Sequence, residues 1–205
     1  MVRKRINRLL FRLKNPTCRI GVNVKVSRKV KVGKNCQIGD SVIISDSVRM
    51  GDNVIIGPGC RLRHMDIGND CHLESGVKIM GTGQGKIEIG DHCYIGVNNI
   101  LDSSESIIIG DYVHLAGPST ALWCHSSAQM CINGITLRDP NRDQYRPSKS
   151  IRIMNRVYVG PNCTIYPDTR IEEMTIVAPN SAVSGNLESK SMYGGVPVRL
   201  IKRIV

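Results

Sequence analysis

Residues 31–60 read KVGKNCQIGDSVIISDSVRMGDNVIIGPGC, and an aliphatic or methionine side chain returns at every sixth position: Val32, Ile38, Ile44, Met50 and Ile56. A surface helix repeats its apolar positions near 3.6 residues and a half-buried strand repeats at about 2. Six is a multiple of the strand period with a corner at fixed intervals, which marks an internal repeat. Each unit reads as a short strand whose aliphatic residue points inward. A glycine behind it lets the backbone bend or take positive φ at the corner.

The same beat runs outward from this stretch in both directions. It begins at Ile20 and Val26 and passes Leu62, then slips by one to Ile67, Leu73 and Ile79. After GTGQGK it resumes at Ile89, Ile95 and Leu101, slips by two, and continues through Ile109, Leu115 and Ala121. Val159, Ile165, Ile171, Val177 and Val183 complete 22 positions, and ten of the 20 glycines directly follow one of them. Three units close a triangular coil, and successive coils stack as parallel strands. Roughly seven coils at about 4.8 Å each predict a prism about 35 Å long.

Six of the eight cysteines (Cys18, Cys36, Cys60, Cys71, Cys93 and Cys163) sit two residues before a beat position. Residues i−2 and i share one face of a strand, so these thiols fill the small inward slot as core hydrophobes. No CxxC pair occurs, and a reducing, cytoplasmic compartment follows from this cysteine usage.

The net charge of +11 is unevenly placed: 12 of the 28 basic residues lie in the first 34 positions, and no acid precedes Asp40. The remaining 171 residues carry 16 basic and 17 acidic side chains. A nearly neutral body excludes a protein whose whole surface grips nucleic acid. No apolar run reaches the 18 or so residues of a membrane span. In MVRKRINRLLFRLKN, residues 1–15, Ile6, Leu9, Leu10 and Leu13 fall at helical spacing among basic side chains. Such a helix either caps the open end of the coil stack, the favoured reading, or touches the inner face of an anionic membrane.

The period fails in LWCHSSAQMCINGITLRDPNRDQYRPSKSIRIMNR, residues 122–156. A long irregular segment within a regular solenoid is usually functional. It opens with Trp123, the single tryptophan, and His125. Imidazole titrates near 6.5 and can take a proton from an alcohol.

The repeat resembles that of the hexapeptide-repeat acyltransferases. The resemblance implies an all-β fold, a left-handed parallel β-helix over residues 16–189 with one long loop and a C-terminal tail over 190–205. IGDYVHLAGPSTALWCHSS, residues 109–127, is similar to the family's approach to its catalytic histidine. This makes His125 the candidate base and His114, one residue before a beat position, the reserve. Many relatives carry an acid just before that histidine, whereas Leu122, Trp123 and Cys124 stand here. Asp139, Asp143 or a backbone carbonyl is left to orient the ring, and Trp123, Asp139 and Asp143 are assigned to the acceptor.

RVYVGPNCTIYPDTRIEEMTIVAPNSAVSG, residues 156–185, looks like the family's last coils, and YGGVPVRLIKRI, residues 193–204, like its closing tail. The resemblance then implies acetyl-CoA as donor, lying between subunits of a homotrimer. Backbone groups near Gly160 and Ala178 hold the pantetheine arm, and Ser184, Arg199 and Lys202 approach the nucleotide. Pro161 and Pro179 stand where backbone donors are expected, and proline cannot donate. The function expected is O-acetylation of a sugar or surface-polysaccharide precursor. N-acetylation of an amino sugar or antibiotic and a non-catalytic scaffold are the alternatives. No metal is expected, because no two histidines stand at the five-residue separation that the family's zinc-dependent branch requires.

Overall fold

The computed structural model describes residues 5–6, 8–45 and 47–204. Those residues form three sheets of nine, eight and ten strands. Arg19–Ile20 lies in the third sheet, Lys25–Ser27 in the first, Lys31–Val32 in the second and Gln37–Ile38 again in the third. Each circuit of the chain thus visits every sheet once, and successive circuits pair in parallel, Gln37 opposite Ile55 and Ile38 opposite Ile56. The winding is that of a left-handed β-helix.

The third sheet stacks nine parallel strands, from Arg19–Ile20 to Ser191–Gly194, before Arg199–Arg203 closes it antiparallel. There are eight full coils and the first strand of a ninth rather than seven, and the prism is about 40 Å long. The beat undercounts because strands such as Ile151–Ile153, Asn186–Leu187 and Ser191–Gly194 fall outside it.

Of the 22 beat positions, 20 are buried, and the exceptions are Val32 and Ala121. Ala121 is a correction. Leu122 is the inward residue, fully buried and aligned between Leu101 and Ile165. The corner before it holds one residue more than the period allows. The six slot cysteines all lie in the core.

The glycines behind the beat do a different job from the one expected. The left-handed backbone falls two residues later, at Asn35 (φ 57°), Asn53 (φ 58°), Asn98 (φ 57°) and Asn162 (φ 56°), where asparagine tolerates it. The glycines instead permit close approach of the next coil. A Cβ on Gly51 would stand 2.9 Å from the Asn69 backbone nitrogen, and one on Gly57 2.6 Å from that of Ser75. The space saved admits a ladder of side-chain acceptors. Asp40 takes the Val22 N–H at 2.8 Å, Asp52 that of Lys34 at 2.7 Å, Asn69 that of Asp52 at 2.9 Å and Asp91 that of Asn69 at 2.6 Å. Corner N–H groups that the strand ladders leave over are satisfied this way.

At the lower end the helix is shorter than its pattern, Arg8–Lys14, and Arg5–Ile6 pairs antiparallel with Lys25–Ser27. Residues 1–4 of the expected helix, and the side chains of Ile6, Leu9 and Leu10, lie outside the described residues. Phe11, which the apolar pattern did not include, is 1% exposed and joins the core, while Leu13 is 70% exposed. At the upper end Tyr193 and Val198 of the tail are buried, and the Tyr193 hydroxyl accepts the Glu188 N–H at 3.0 Å. Among the described residues no helix is long and apolar enough to cross a membrane.

Candidate active site

The coil resumes at Ile151, so the irregular segment is 123–150, shorter than the 122–156 expected. It carries a short helix, Ala128–Ile132, and a 3-10 turn, Arg142–Tyr145. Its two ends are pinned together where it leaves the prism. The Lys149 N–H donates to the Cys124 carbonyl at 2.7 Å, and His125 forms a β-bridge with Ser148. The segment is therefore a closed flap rooted at the corner between the first and second sheets.

His125 stands at that root, and its ring partner comes from the preceding coil. Leu101 and Leu122 are aligned neighbours, which places Asp102 beneath the start of the flap. Asp102 is fully buried and its Oδ2 contacts His125 Nδ1. The same oxygen accepts the Cys124 N–H at 3.0 Å, and Oδ1 accepts the Ser104 N–H at 2.9 Å. Burial pushes the Asp102 carboxyl up, but hydrogen bonds from Ser104 and His125 outweigh it and hold the group below its ordinary value. The expected ring partners are thereby corrected. Asp139 Oδ1 accepts the Asn141 N–H at 2.8 Å, and Asp143 faces Arg142 at 3.7 Å with its side chain largely in solvent.

On the ring's other side, Arg146 Nη2 lies 2.8 Å from His125 Nε2. A guanidinium only donates, so Nε2 carries the lone pair and Nδ1 carries the proton shared with Asp102. This is the tautomer a general base requires. Cys124, adjacent to the histidine, is no competing nucleophile: burial, with the nearby Asp102 charge, pushes its thiol up to about 12.

The other expected residues are dispersed. His114 is exposed on the third sheet, between Tyr94 and Tyr158 in register and 5.5 Å from the Tyr94 ring, on a different face from His125. Trp123 is half-buried at the flap root, its backbone N–H donating to the Ile165 carbonyl at 2.9 Å. The N–H groups of Gly160 and Ala178 are spent within the prism, on Val177 at 2.9 Å and Tyr193 at 2.8 Å. Neither is left to donate to a ligand. Ser184, Arg199 and Lys202 are exposed, the last two on the closing strand. A cavity of about 490 Å³ lies lower on the prism, around Lys29, Lys31, Arg49, His64 and Lys86, and contains none of these residues.

Asp102 and Arg146 escaped the sequence reading. A signal for Asp102 existed: of the 22 residues that directly follow a beat position, it is the one aspartate.

Two family profiles match the chain, the bacterial transferase hexapeptide (six repeats) over residues 29–64 and the hexapeptide repeat of succinyl-transferase over 86–117. The putative lipopolysaccharide biosynthesis O-acetyl transferase WbbJ of Escherichia coli (strain K12) is 24% identical over 58% of this chain and 72% of its own length. A probable acetyltransferase of Mycobacterium tuberculosis is 25% identical over 69% of this chain, and the match spans 45% of that longer protein. Among solved structures, AntD, an N-acyltransferase from Bacillus cereus in complex with dTDP and 3-hydroxybutyryl-CoA, superposes with a TM-score of 0.58. It is 21% identical over 98% of this chain and 90% of its own, a likeness of fold. Repeat, coil and relatives agree: the chain carries the hexapeptide repeat and is similar in sequence and fold to acyltransferases built on it.

Proposed function

We propose that the protein moves an acetyl group from acetyl-CoA to a hydroxyl of a sugar or surface-polysaccharide precursor, with His125 as general base. The observation that carries this reading is the buried Asp102 carboxylate on His125 Nδ1, which leaves Nε2 basic and aimed into the flap. An alcohol is a weak nucleophile at neutral pH and needs such a base. The acceptor oxygen attacks the thioester carbonyl carbon as its proton passes to Nε2. The carbon–sulfur bond then breaks, and the imidazolium returns the proton to the departing CoA sulfur. Asp102 stays ionised and stabilises the transient imidazolium, as in other Asp–His pairs.

The donor is proposed to lie between subunits of a homotrimer. The exposed cations Arg199 and Lys202 suit its phosphates, and exposed Ser184 is proposed to join them. With the N–H groups of Gly160 and Ala178 spent, the pantetheine contacts near them are proposed to come from other groups there. A sugar acceptor is supported by the name of the Escherichia coli relative. Trp123, Asp139 and Asp143 remain the proposed acceptor-side residues.

The test is transfer of labelled acetyl from acetyl-CoA to a panel of sugars and polysaccharides. His125→Ala is expected to fold, bind acetyl-CoA by calorimetry and lose about 10²- to 10⁴-fold in kcat. Label released by hydroxylamine marks an ester, and label that resists marks the amide of the N-acetylation reading. Turnover within a few-fold of the parent in His125→Ala would transfer the role to His114.

A further inference from the structure

The contact between Arg146 and His125 has a mechanistic consequence. A base can accept a proton only through a free lone pair, and the lone pair of Nε2 is occupied by Arg146 at 2.8 Å. The acceptor hydroxyl must therefore displace the guanidinium before it can react. We infer that Arg146 is a displaceable guard on the base, drawn off by an acceptor that carries an anionic group beside its reacting hydroxyl. This inference rests on the proposed role of His125.

Three observations support it. First, the guanidinium is half-buried, and Nε2 is its single partner among the described residues. Its remaining N–H groups are unspent, and no carboxylate competes for them. Asp143 faces Arg142, and Asp139 turns back on Asn141. Second, a guanidinium fork binds a carboxylate or phosphate through two parallel charge-assisted bonds, stronger than one bond to a neutral imidazole. An anionic acceptor thus wins the arginine, whereas a neutral one does not. Third, the backbone beside Arg146 is fixed. Its N–H caps the 3-10 turn on the Asp143 carbonyl at 3.3 Å, the Pro147 carbonyl accepts the Ser126 N–H at 3.4 Å, and Ser148 bridges His125. Only the side chain needs to swing, so the guard and the anion contact are alternative positions of one group.

A guarded base also spares the donor. With Nε2 occupied, water cannot be activated against the thioester, and acetyl-CoA outlives the wait for an acceptor. Arg146 is a positioning residue in this scheme and takes no proton.

Two measurements test it. With ¹⁵N-histidine-labelled protein, the His125 Nε2 resonance is expected to shift on adding D-glucuronate or UDP-glucose but not D-glucose. The first two distinguish a carboxylate from a phosphate as the displacing group. Arg146→Gln is expected to start with a shifted Nε2 resonance and to show no further response to either anion, while Arg146→Lys keeps a weakened response. Acceptor-independent hydrolysis of acetyl-CoA, read as thiol release, is expected to rise roughly tenfold in Arg146→Gln, the worth of one ordinary hydrogen bond. It should return to background in Arg146→Gln/His125→Ala. Equal responses to glucose and glucuronate, or a parental Nε2 resonance in Arg146→Gln, overturn the guard. The resonance arm does not depend on turnover, so its failure is separable from absence of acetyl transfer.

Discussion

The stacked coils and the 123–150 flap are built on opposite principles. In the coils each residue's environment repeats: Leu101, Leu122 and Ile165 are aligned, all fully buried and all aliphatic. In the flap no position repeats, and Leu137 is 75% exposed. Yet the flap is not independent of the stack. Its buried carboxylate anchor, Asp102, is itself a coil residue. The comparison teaches that the repetitive part supplies both the stability and the buried charge, while the irregular part supplies the imidazole and the group that covers it. A solenoid in which every coil satisfied the same rule would have no place for chemistry. Asp102, the one aspartate to follow an inward residue of the beat, is where the coil departs from that rule.

The largest effect expected from breaking this division of labour is on catalysis. Asp102→Asn keeps the shape but loses the charge that sets the His125 tautomer. Turnover should fall about 10²-fold or more with donor affinity unchanged. Steady-state kinetics beside calorimetric binding of acetyl-CoA checks this, and an intact rate would mean that the flap orients its own histidine. Next in size is packing. Leu101→Ala should cost about 2–5 kcal/mol because the coils above and below leave the cavity no way to collapse. Leu137→Ala should stay within about 0.5 kcal/mol. Urea unfolding of both variants measures the contrast directly. The smallest effect is on acid stability. Because Asp102 titrates below its ordinary value when folded, its contribution is complete above the unfolded value near 3.9 and is lost as pH falls through the folded value. The parent should lose stability more steeply than Asp102→Asn below about pH 4, read as the shift in unfolding midpoint with pH.

Legibility followed the same boundary. The beat, the inward cysteines and the place where the period fails were all readable, because each depends on residues within one or two units of each other. His125 was singled out because it opens the longest break in the period and because the stretch before it resembles the family's approach to its histidine. Ala121 was misread for Leu122, since a corner lengthened by one residue leaves no trace in composition. The corner glycines were recognised but given the wrong task. Their service is to the next coil, about 18 residues away, and the Asp and Asn side chains that exploit the space became visible only once the coils were stacked. Arg146 had no local signal, since a basic residue in a charged flap looks solvated.

What the sequence determined by itself is the winding of the chain into a three-sided coil, because a hexad's strand and corner are set by side-chain alternation and backbone freedom over a few residues. What the tertiary structure decided is which charge meets which ring. Asp102 reaches His125 across 23 residues of chain, a distance fixed by coil length and register. Those quantities exist only after the coils have stacked.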